Sequence, residues 1–554
     1  MKIEQIRLNG IKSYSDIKVE RISNYNIFIG PNNSGKSNFL YAIRIFFEDQ
    51  KITKDDIFKF TTVNEIRIEI TFKKSQSEKL PNLGKFFKNK NNIVITCSID
   101  TNAKSLKPIY RIDGNEISKQ DKQELMDSVD LIYVPAVWTI EEEISNTKMS
   151  PFNKLMSDII IDNIKNIKQY DSHKNFLNVI IKKIKNEKDG ILDSIQEQLD
   201  SDMIYNSFNI NICNPLNKDQ LLEELVNYIS KKLQLTAKIN NEQFVIDSQG
   251  NGFQRSLLYS LIKFRNLKQS KSKKPSILLF EEPELFLHPN LQKNLRENLI
   301  GLSKKNFQIF ITTHSPYFIT NIENINNLNR VYLEKNMSYI KSITKKEFKK
   351  VINKNRIILE NANIVELSTN KGDSSFKESL EKTVLLWSTA ERMASLFSNK
   401  VLLVEGRSDV NAIYYLLNSD YFKSYSKNDL YVMDTNGKFT MYLWASILNS
   451  LGVQVWILYD QDGNIKKPTI DHMKLNKYIE ELKTKGIIKN IMHFDDNIEK
   501  DLGFTKSSNT KAKAEYVTND VHVYMKINEI YNDKTNEHHD KLLKIQNFLK
   551  EVLT

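Results

Sequence analysis

Residues 25–37, YNIFIGPNNSGKS, are the stretch that determines the fold of the N-terminal half of the chain. They join an apolar strand to the pattern G-x-x-x-x-G-K-[ST], and residues 38–47 behind them have the apolar periodicity of a helix. In such a unit, backbone N–H groups surround phosphates, the lysine adds a charge beside the β- and γ-oxygens, and the hydroxyl coordinates Mg²⁺. The candidate ATP-binding residues of this loop are Gly30, Asn32, Asn33, Gly35, Lys36 and Ser37.

Two later apolar strands end in polar residues that fit the same site. Residues 277–280, ILLF, are followed by Glu281 and Glu282. We expect Glu281 to hold the Mg²⁺ shell and Glu282 to orient the attacking water, because acidic residues at the carboxyl edge of a buried strand have this role in P-loop ATPases. Residues 307–312, FQIFIT, lead to His314, which we expect to reach the γ-phosphate. A solvated acidic turn is the alternative, but it does not explain the hydrophobic strand before it.

A Ser/Gly-rich segment, SQGNGFQR at residues 248–255, begins a predicted helix. A helix start of this composition is an anion site, and its candidate residues are Ser248, Gly250 and Gly252. The four segments, in this order, resemble the ATPase heads of the ABC/SMC/RecF group. The resemblance implies that the Ser/Gly segment of one subunit completes the ATP site of another. It therefore implies a homodimer or higher homo-oligomer.

A second set of carboxylates lies in the C-terminal third. One apolar strand, VLLV, is followed by Glu405 and, one helical turn later, by Asp409. Another strand, VQVWILY, is followed by Asp460 and Asp462. Because parallel strands end at a common sheet edge, we expect these carboxylates to converge and to bind hard divalent cations, Mg²⁺ or Mn²⁺. With two ions, one activates water and the other stabilises the leaving 3′ oxygen of a phosphodiester. Helix capping also explains one such acidic residue, but four poorly.

The Glu and Asp-x-Asp pattern resembles a Toprim domain. An ATPase head followed by a Toprim domain resembles the OLD (overcoming lysogenization defect) nuclease family, and the resemblance covers nearly the whole chain. It implies a nucleotide-regulated, metal-dependent endonuclease that nicks or cuts DNA. It also implies a further carboxylate, assigned to Glu499 with Asp496 and Asp501 as rivals. An active-site lysine is assigned to Lys513, while Lys511 stays open.

These interpretations give two predicted sets of residues. The predicted catalytic residues are Glu282, Glu405, Asp409, Asp460, Asp462, Glu499 and Lys513. The predicted metal ligands are Ser37, Glu281, Glu405, Asp409, Asp460, Asp462 and Glu499. The implied cofactors are ATP and Mg²⁺, with Mn²⁺ as an alternative at the nuclease site.

The domain organisation follows from changes in pattern along the chain. Strand patterns at residues 65–72 and 92–96 continue the N-terminal α/β region, whereas residues 151–235 have a helical, Lys/Ile-rich pattern. That helical stretch is the candidate dimerisation region, with partner docking as its alternative. The predicted division is an ABC/SMC-like P-loop ATPase head (1–150 and 236–345), a helical insertion (151–235), a helical connector (346–395) and a Toprim α/β domain (396–554).

The resemblance also bears on biological role and partners. Members of the family act in anti-phage defence, among them the Gabija nuclease subunit and retron-associated OLD nucleases. It therefore implies DNA as substrate and a partner from the same operon, either a helicase-like protein or a retron reverse transcriptase with its DNA. Whether ATP activates or restrains cutting stays open.

The alternative function is a RecF-like, ATP-dependent DNA-binding clamp with a non-cleaving Toprim module. A degenerate Toprim domain is expected to lose Glu405, Asp460 or Asp462, and all are present. A topoisomerase needs a nucleophilic tyrosine on a separate DNA-binding domain, and a primase needs further modules. Neither is apparent in the sequence.

The composition of the 554 residues agrees with this interpretation. A net charge of +12 and a pI near 9.1 favour polyanion partners, although an AT-rich genome also enriches lysine. No apolar run approaches the roughly 18 residues of a membrane span, and the first residues alternate like a strand rather than a signal peptide. Cys97 and Cys213 form no CxxC pair, which excludes a disulfide framework and a cysteine-rich zinc site. We therefore expect a cytoplasmic protein that does not bind membranes.

Overall fold

A computed structural model describes most of the chain outside the middle region. The described residues are 1–74, 84–87, 90–136, 211–212, 235–239, 242–245, 252–253, 256–257, 259–260, 262, 275–305, 307–320, 328–361, 389–461, 471–494, 498–502 and 520–554. The strands are β1 (Lys2–Ile11), β2 (Tyr14–Val19), β3 (Tyr25–Ile29), β4 (Glu65–Lys73), β5 (Asn92–Asp100), β6 (Ile109–Ile112), β7 (Asn115–Glu116), β8 (Asp130–Val134), β9 (Asn211–Ile212), β10 (Leu235–Ile239), β11 (Glu242–Val245), β12 (Ser276–Glu281), β13 (Phe307–Thr312), β14 (Leu328–Glu334), β15 (Met337–Ser342), β16 (Lys400–Val404), β17 (Leu430–Asp434), β18 (Gln454–Asp460) and β19 (Asn490–Phe494).

Helices lie between these strands and cover the sheets. They are α1 (Lys36–Phe46), α2 (Gly84–Phe87), α3 (Lys119–Asp127), α4 (Pro289–Ser303), α5 (Lys345–Asn361), α6 (Ala390–Ala394), α7 (Arg407–Asn418), α8 (Met441–Ser450), α9 (His472–Thr484), α10 (Ile498–Asp501), α11 (Asp520–Asn532) and α12 (His539–Leu553). Short 3₁₀ turns are Lys54–Asp56, Pro316–Phe318, Ser395–Phe397, Asp420–Phe422 and Lys438–Thr440. Within the described ranges, no helix is both long enough and apolar enough to cross a membrane.

The N-terminal region is built on the head sheet, with the strand order β15-β14-β3-β13-β12-β8. All its pairs are parallel except β14 with β15. Strand β13 is buried along its whole length, as expected for a parallel strand covered on both faces. The predicted buried strands at residues 276–280 and 307–312 are confirmed as β12 and β13. Because β3, β13 and β12 are adjacent and parallel, the residues that follow them share one edge.

An antiparallel sheet with the order β2-β1-β4-β5-β6-β7 covers one face of the head sheet. Strand β4 alternates, and its buried residues Ile66, Ile68, Ile70 and Phe72 face a common core. Helix α1 packs into the same core, where the rings of Phe28 and Phe39 stack at 4.4 Å. The strand predicted at residues 65–72 is confirmed, and the one predicted at residues 92–96 extends to Asp100.

The middle region is described only in part. Strands β11-β10-β9 form a three-stranded antiparallel sheet. Strand β9 and the start of β10 fall within the predicted helical insertion at residues 151–235, whose other residues lie outside the described ranges. The insertion and its role in dimerisation therefore stay predictions.

The C-terminal sheet has the order β17-β16-β18-β19, and all its strands are parallel. Helices cover both faces: Leu402 and Val404 face the core that includes α7 and α12, whereas Val401 and Leu403 face the core that includes α8 and α9. This doubly covered parallel sheet has the α/β architecture that was predicted for the C-terminal part of the chain. It brings the residues that follow β16, β17 and β18 to one edge.

The head sheet and the C-terminal sheet share a continuous core. Helix α5, which with α6 is described within the predicted connector, packs against α8 and α9. Arg330 of β14 is fully buried at this junction. Its guanidinium donates hydrogen bonds to the carbonyls of Leu396 (2.9 Å), Ser398 (2.7 Å) and Leu451 (3.3 Å), and to Oδ1 of Asn399 (3.3 Å). A buried cation of the head therefore holds the chain at two points of the C-terminal unit.

Candidate functional site

The phosphate-binding loop between β3 and α1 depends on two glycines with positive φ. Gly30 has φ +141°, and a Cβ there would lie 1.9 Å from the Val331 carbonyl oxygen. Gly35 has φ +103°, and a Cβ there would lie 2.4 Å from Ser338 Oγ. The loop is therefore packed directly against β14 and β15. Asn32 and Asn33 are exposed on it, as is Ser37 at the start of α1.

Lys36 points into this loop rather than into solvent. Its side chain is buried, and Nζ donates to the carbonyl oxygens of Gly30 at 3.1 Å and Pro31 at 2.8 Å. Burial lowers the pKa of Lys36 to about 8, although the negative charges of Glu282 and Glu284 act to raise it. A cation held in this position is suited to pair with phosphate oxygens, whose negative charge would raise its pKa again.

The first acidic residue after β12 is joined to the loop. Glu281 lies opposite Thr312 in the parallel register of β12 and β13, and Thr312 lies opposite Phe28 of β3. Burial raises the pKa of the Glu281 carboxyl, while hydrogen bonds with Tyr133 and Ser37 act against that rise. The predicted ligands Ser37 and Glu281 are therefore brought together.

Glu282 and His314 face each other beside the loop. Glu282 Oε1 lies 3.9 Å from His314 Nε2, and Glu282 has a strained φ of +40°. The backbone N–H of His314 donates to Oε1 of the buried Glu284 at 2.6 Å. Burial, aided by the charge of Lys36, lowers the pKa of His314 to about 4. His314 is thus a neutral imidazole at pH 7, which suits a hydrogen bond with a phosphate rather than an ion pair.

His314 also contacts the C-terminal unit. Its ring stacks on Phe397 with a centroid distance of 6.1 Å and an interplanar angle of 29°. The next turn, Pro316–Phe318, packs against α6. Arg392 of α6 in turn pairs with Asp434 at 2.6 Å, at the end of β17. Described contacts therefore run from the nucleotide side of the head to the carboxyl edge of the C-terminal sheet.

The Ser/Gly segment is described only at one predicted residue. Ser248 and Gly250 lie outside the described residues, and their anion-binding role stays a prediction. A Cβ on Gly252 would lie 2.7 Å from the Phe286 carbonyl oxygen, and Ser256 Oγ donates to the Gly252 carbonyl at 3.0 Å. Gly252 is thus fixed close to the loop that follows strand β12.

Two predicted carboxylates meet at the edge of the C-terminal sheet. Glu405 follows β16, and Asp460 ends the neighbouring parallel strand β18. The backbone N–H of Asp460 donates to Glu405 Oε1 at 2.9 Å. The Glu405 side chain is 20% exposed, so solvent reaches it. This pair of strand ends has the hard oxygen donors that a divalent cation prefers.

The other predicted residues of this site are less defined. Asp409 lies in the first turn of α7, where Oδ2 accepts from the backbone N–H of Gly406 at 2.8 Å; it serves at least as a helix cap. The rival Asp501 is buried and ion-paired with Lys541 at 2.5 Å. Among the described residues, no group of three or more His, Cys, Asp or Glu side chains is arranged to hold a metal ion. Outside the described part of the chain lie the predicted residues Asp462, Asp496, Lys511 and Lys513, and also the side chain of Glu499.

The sequence interpretation did not single out two residues at these sites. Glu284 is the third acidic residue of Glu-Glu-Pro-Glu, and its position in that motif could have indicated its role in holding His314. Lys438 lies 3.8 Å from Glu405 Oε1 and is 3% exposed. The signal for Lys438 is the Asn-Gly turn directly before it, after strand β17.

Two family models match the chain. One, described as "AAA domain, putative AbiEii toxin, Type IV TA system", matches residues 25–320. The other, described as "Overcoming lysogenization defect protein-like, TOPRIM domain", matches residues 396–462. The first match contains the phosphate-binding loop and His314, and the second contains Glu405 and Asp460. These two domain types imply use of a nucleotide and of a divalent metal ion.

Similar proteins extend over most of the chain. The sequence is 25% identical to the Old nuclease of Escherichia phage P2 over 479 residues, 79% of this chain and 73% of that protein. It is 24% identical to Endonuclease GajA of Bacillus cereus (strain VD045) over 485 residues, 84% of this chain and 76% of that protein. A solved structure of an SMC head bound to the C-winged helix domain of ScpA has a TM-score of 0.43 and 18% identity, and covers 63% of this chain and 100% of that chain.

Proposed function

Since the chain belongs to the AAA-domain family and carries the TOPRIM domain of overcoming-lysogenization-defect-like proteins, we propose that it is a nucleotide-regulated, metal-dependent DNA endonuclease. The observation that carries this proposal is the contact between Glu405 and Asp460 at the edge of the C-terminal sheet. Their strands are neighbours in a parallel sheet, and the Asp460 backbone N–H holds the Glu405 carboxylate at 2.9 Å. The similarity to two named nucleases over most of the chain supports the same activity.

The residues that would hold the metal ion are the predicted carboxylates. Glu405 and Asp460 supply hard oxygen donors at one sheet edge, and Asp409, Asp462 and Glu499 are proposed to complete the set. Mg²⁺ fits such donors, and Mn²⁺ fits them equally well. When bound, the ions would lower the pKa of a water and stabilise the leaving oxygen of the phosphodiester. The protein's own contribution is to hold Glu405 in place through the Asp460 N–H.

The head is proposed to bind and hydrolyse ATP. Lys36 would pair with phosphate oxygens, Ser37 and Glu281 would hold Mg²⁺, and Glu282 would orient the attacking water. The neutral His314 would hydrogen-bond the γ-phosphate. The Ser/Gly segment of a second copy is proposed to complete this site, so that the active form is a homodimer or larger homo-oligomer.

The biological role that we propose is anti-phage defence. This role rests on the family, whose members act in such systems, and it includes a partner protein from the same operon. The contacts from His314 through Phe397 and α6 support control of the nuclease by the nucleotide. They support coupling in either direction.

The test is a DNA cleavage assay on the full chain. Supercoiled and linear DNA are incubated with Mg²⁺ or Mn²⁺, with and without ATP. Asp460→Asn keeps the size of the side chain and removes its charge, and we expect it to abolish cutting. Lys36→Ala is expected to change only the response to ATP. The matched control is Asp540→Asn, which removes an exposed carboxylate on α12 and should cut like the wild type.

Two outcomes would contradict the proposal. If Asp460→Asn cuts as fast as the wild type, cleavage does not depend on this site. If the wild type binds DNA and hydrolyses ATP without cutting in either metal, with the products of neighbouring genes added, the protein is instead an ATP-dependent clamp.

A further inference from the structure

A lysine is buried beside the carboxylates of the C-terminal sheet. The side chain of Lys438 is 3% exposed, and its Nζ lies 3.8 Å from Glu405 Oε1. The ammonium also lies 5.4 Å from the ring centre of the buried Tyr459, the residue before Asp460. Lysine is seldom buried to this extent, because desolvation disfavours its charged form. The position of this ammonium therefore calls for a role at the site.

The turn before Lys438 is built to deliver its side chain to this edge. Asn436 and Gly437 both have positive φ, +58° and +102°. A Cβ on Gly437 would lie 2.5 Å from the ring of Phe439, so only glycine fits there. The left-handed pair reverses the chain directly after β17 and starts the 3₁₀ turn at Lys438.

The same turn is fastened to the residues that carry Glu405. The backbone N–H and the hydroxyl of Thr435 each donate to the Val404 carbonyl at 2.9 Å. The N–H of Gly437 donates to the Glu405 carbonyl at 2.8 Å, and the Thr440 hydroxyl donates to the Thr435 carbonyl. Lys438 and Glu405 are thus held in one hydrogen-bonded unit. Their side chains keep a fixed relation, which chance proximity on a surface would not give.

We propose that Lys438 is a positioning residue of the nuclease site. Its ammonium compensates the charge of Glu405, holds that carboxylate toward Asp460, and opposes the binding of a divalent cation. The affinity of the site for a metal ion is thereby lowered. This inference rests on the proposed function, since it assumes that Glu405 and Asp460 are metal ligands.

Removal of the ammonium should therefore strengthen metal binding while it slows cutting. One positive charge weakens the binding of a divalent ion by about tenfold at roughly 6 Å, even in a medium as polar as water. We expect Lys438→Met to bind Mn²⁺ about tenfold more tightly than the wild type. We also expect it to cut DNA more slowly at saturating Mn²⁺, because Glu405 loses its orientation. A purely structural role would leave Mn²⁺ affinity equal or weaker.

The experiment measures Mn²⁺ affinity on the full chain without DNA, by electron paramagnetic resonance of the free ion. Asp460→Asn identifies the part of the binding that belongs to this site. Lys438→Arg keeps the charge and should retain wild-type affinity. The matched control is Lys400→Met, which removes the same charge at the opposite end of β16 and should leave the Mn²⁺ affinity unchanged. Circular dichroism melting checks that each variant is folded.

The outcomes separate this inference from the function on which it rests. Tighter Mn²⁺ binding by Lys438→Met, with Lys438→Arg unchanged, supports the positioning role. Equal or weaker Mn²⁺ binding by folded Lys438→Met overturns the positioning role. Tighter Mn²⁺ binding by Lys438→Arg overturns it as well, and this second variant provides the test if Lys438→Met fails to fold. If the wild type has no Mn²⁺ binding that Asp460→Asn removes, the metal site itself is wrong, and the proposed function fails with it.

Discussion

Replacement of Arg330 by methionine should uncouple the unfolding of the head from the unfolding of the C-terminal unit. Methionine fills the volume of the arginine stem but donates no hydrogen bond. The change leaves the carbonyls of Leu396, Ser398 and Leu451 without the guanidinium that now satisfies them. These carbonyls lie at the buried junction, so water does not readily replace the lost donor.

The structure allows the size of the effect to be worked out. Hydrogen bonds from a charged donor contribute about 2 kcal/mol each, so the four contacts of Arg330 contribute roughly 8 kcal/mol before any cost. Burial of the charge opposes this: it lowers the pKa of Arg330 from 12.5 to about 10, which corresponds to about 3 kcal/mol. The difference between the two is about 5 kcal/mol, so we expect Arg330→Met to reduce the free energy of unfolding by about that amount.

The assay is urea unfolding followed by two probes, circular dichroism for the whole chain and fluorescent ATP binding for the head. We expect the two transitions to move apart in Arg330→Met, since the C-terminal unit loses its anchor. Arg296→Met is the matched control: Arg296 is also buried and donates to the carbonyl of Tyr317 at 3.0 Å, but within the head. If Arg330→Met unfolds within 1 kcal/mol of the wild type with coincident transitions, the reasoning about this junction is refuted.

Three further predictions concern the nucleotide-binding site and its contacts. Because burial lowers the pKa of Lys36 to about 8, ATP binding above that pH must take up a proton. Calorimetry in buffers of different ionisation heat should show almost no proton uptake at pH 7 and uptake of nearly one proton at pH 9. Binding heats that do not depend on the buffer at pH 9 would count against this pKa. Gly30→Ala should abolish ATP binding, since its Cβ would meet a carbonyl oxygen at 1.9 Å. The control is Gly114→Ala, where φ is +86° and the surrounding space is open, so that thermal melting should show a loss of only about 1 kcal/mol in stability. Retained ATP binding by Gly30→Ala would contradict the expected clash. Phe397→Ala should bring the ratio of DNA cutting with ATP to cutting without ATP closer to one, because it removes the ring against His314, and an unchanged ratio would disprove that coupling.

The parts of the fold that the sequence predicts are those dictated by nearby residues. Strands β12, β13 and β16 are continuous apolar runs because helices or a second sheet cover both faces, and such runs are visible in the sequence. The site residues that follow β3, β12, β16 and β18 were predictable for the same reason, since parallel strands end at one edge.

The parts that could not be predicted depend on distant partners. Arg330 is an ordinary arginine in the sequence, and its acceptors lie 66 to 121 residues later. Lys438 is one of many lysines, and only the pairing of β16 with β17 brings it to Glu405. Local pattern carries no information about such contacts, which form only when the sheets assemble.

Strand β14 contacts both the phosphate-binding loop and the C-terminal unit. The carbonyl oxygen of Val331 packs against Gly30 of the phosphate-binding loop, and the side chain of Arg330 donates hydrogen bonds to the C-terminal unit. A hybrid that joins the head of one relative to the nuclease domain of another keeps the Gly30–Val331 contact within the head, but it must match at the contacts of Arg330. A crossover within residues 346–395 should therefore yield folded hybrids only between parents that share the contacts of Arg330.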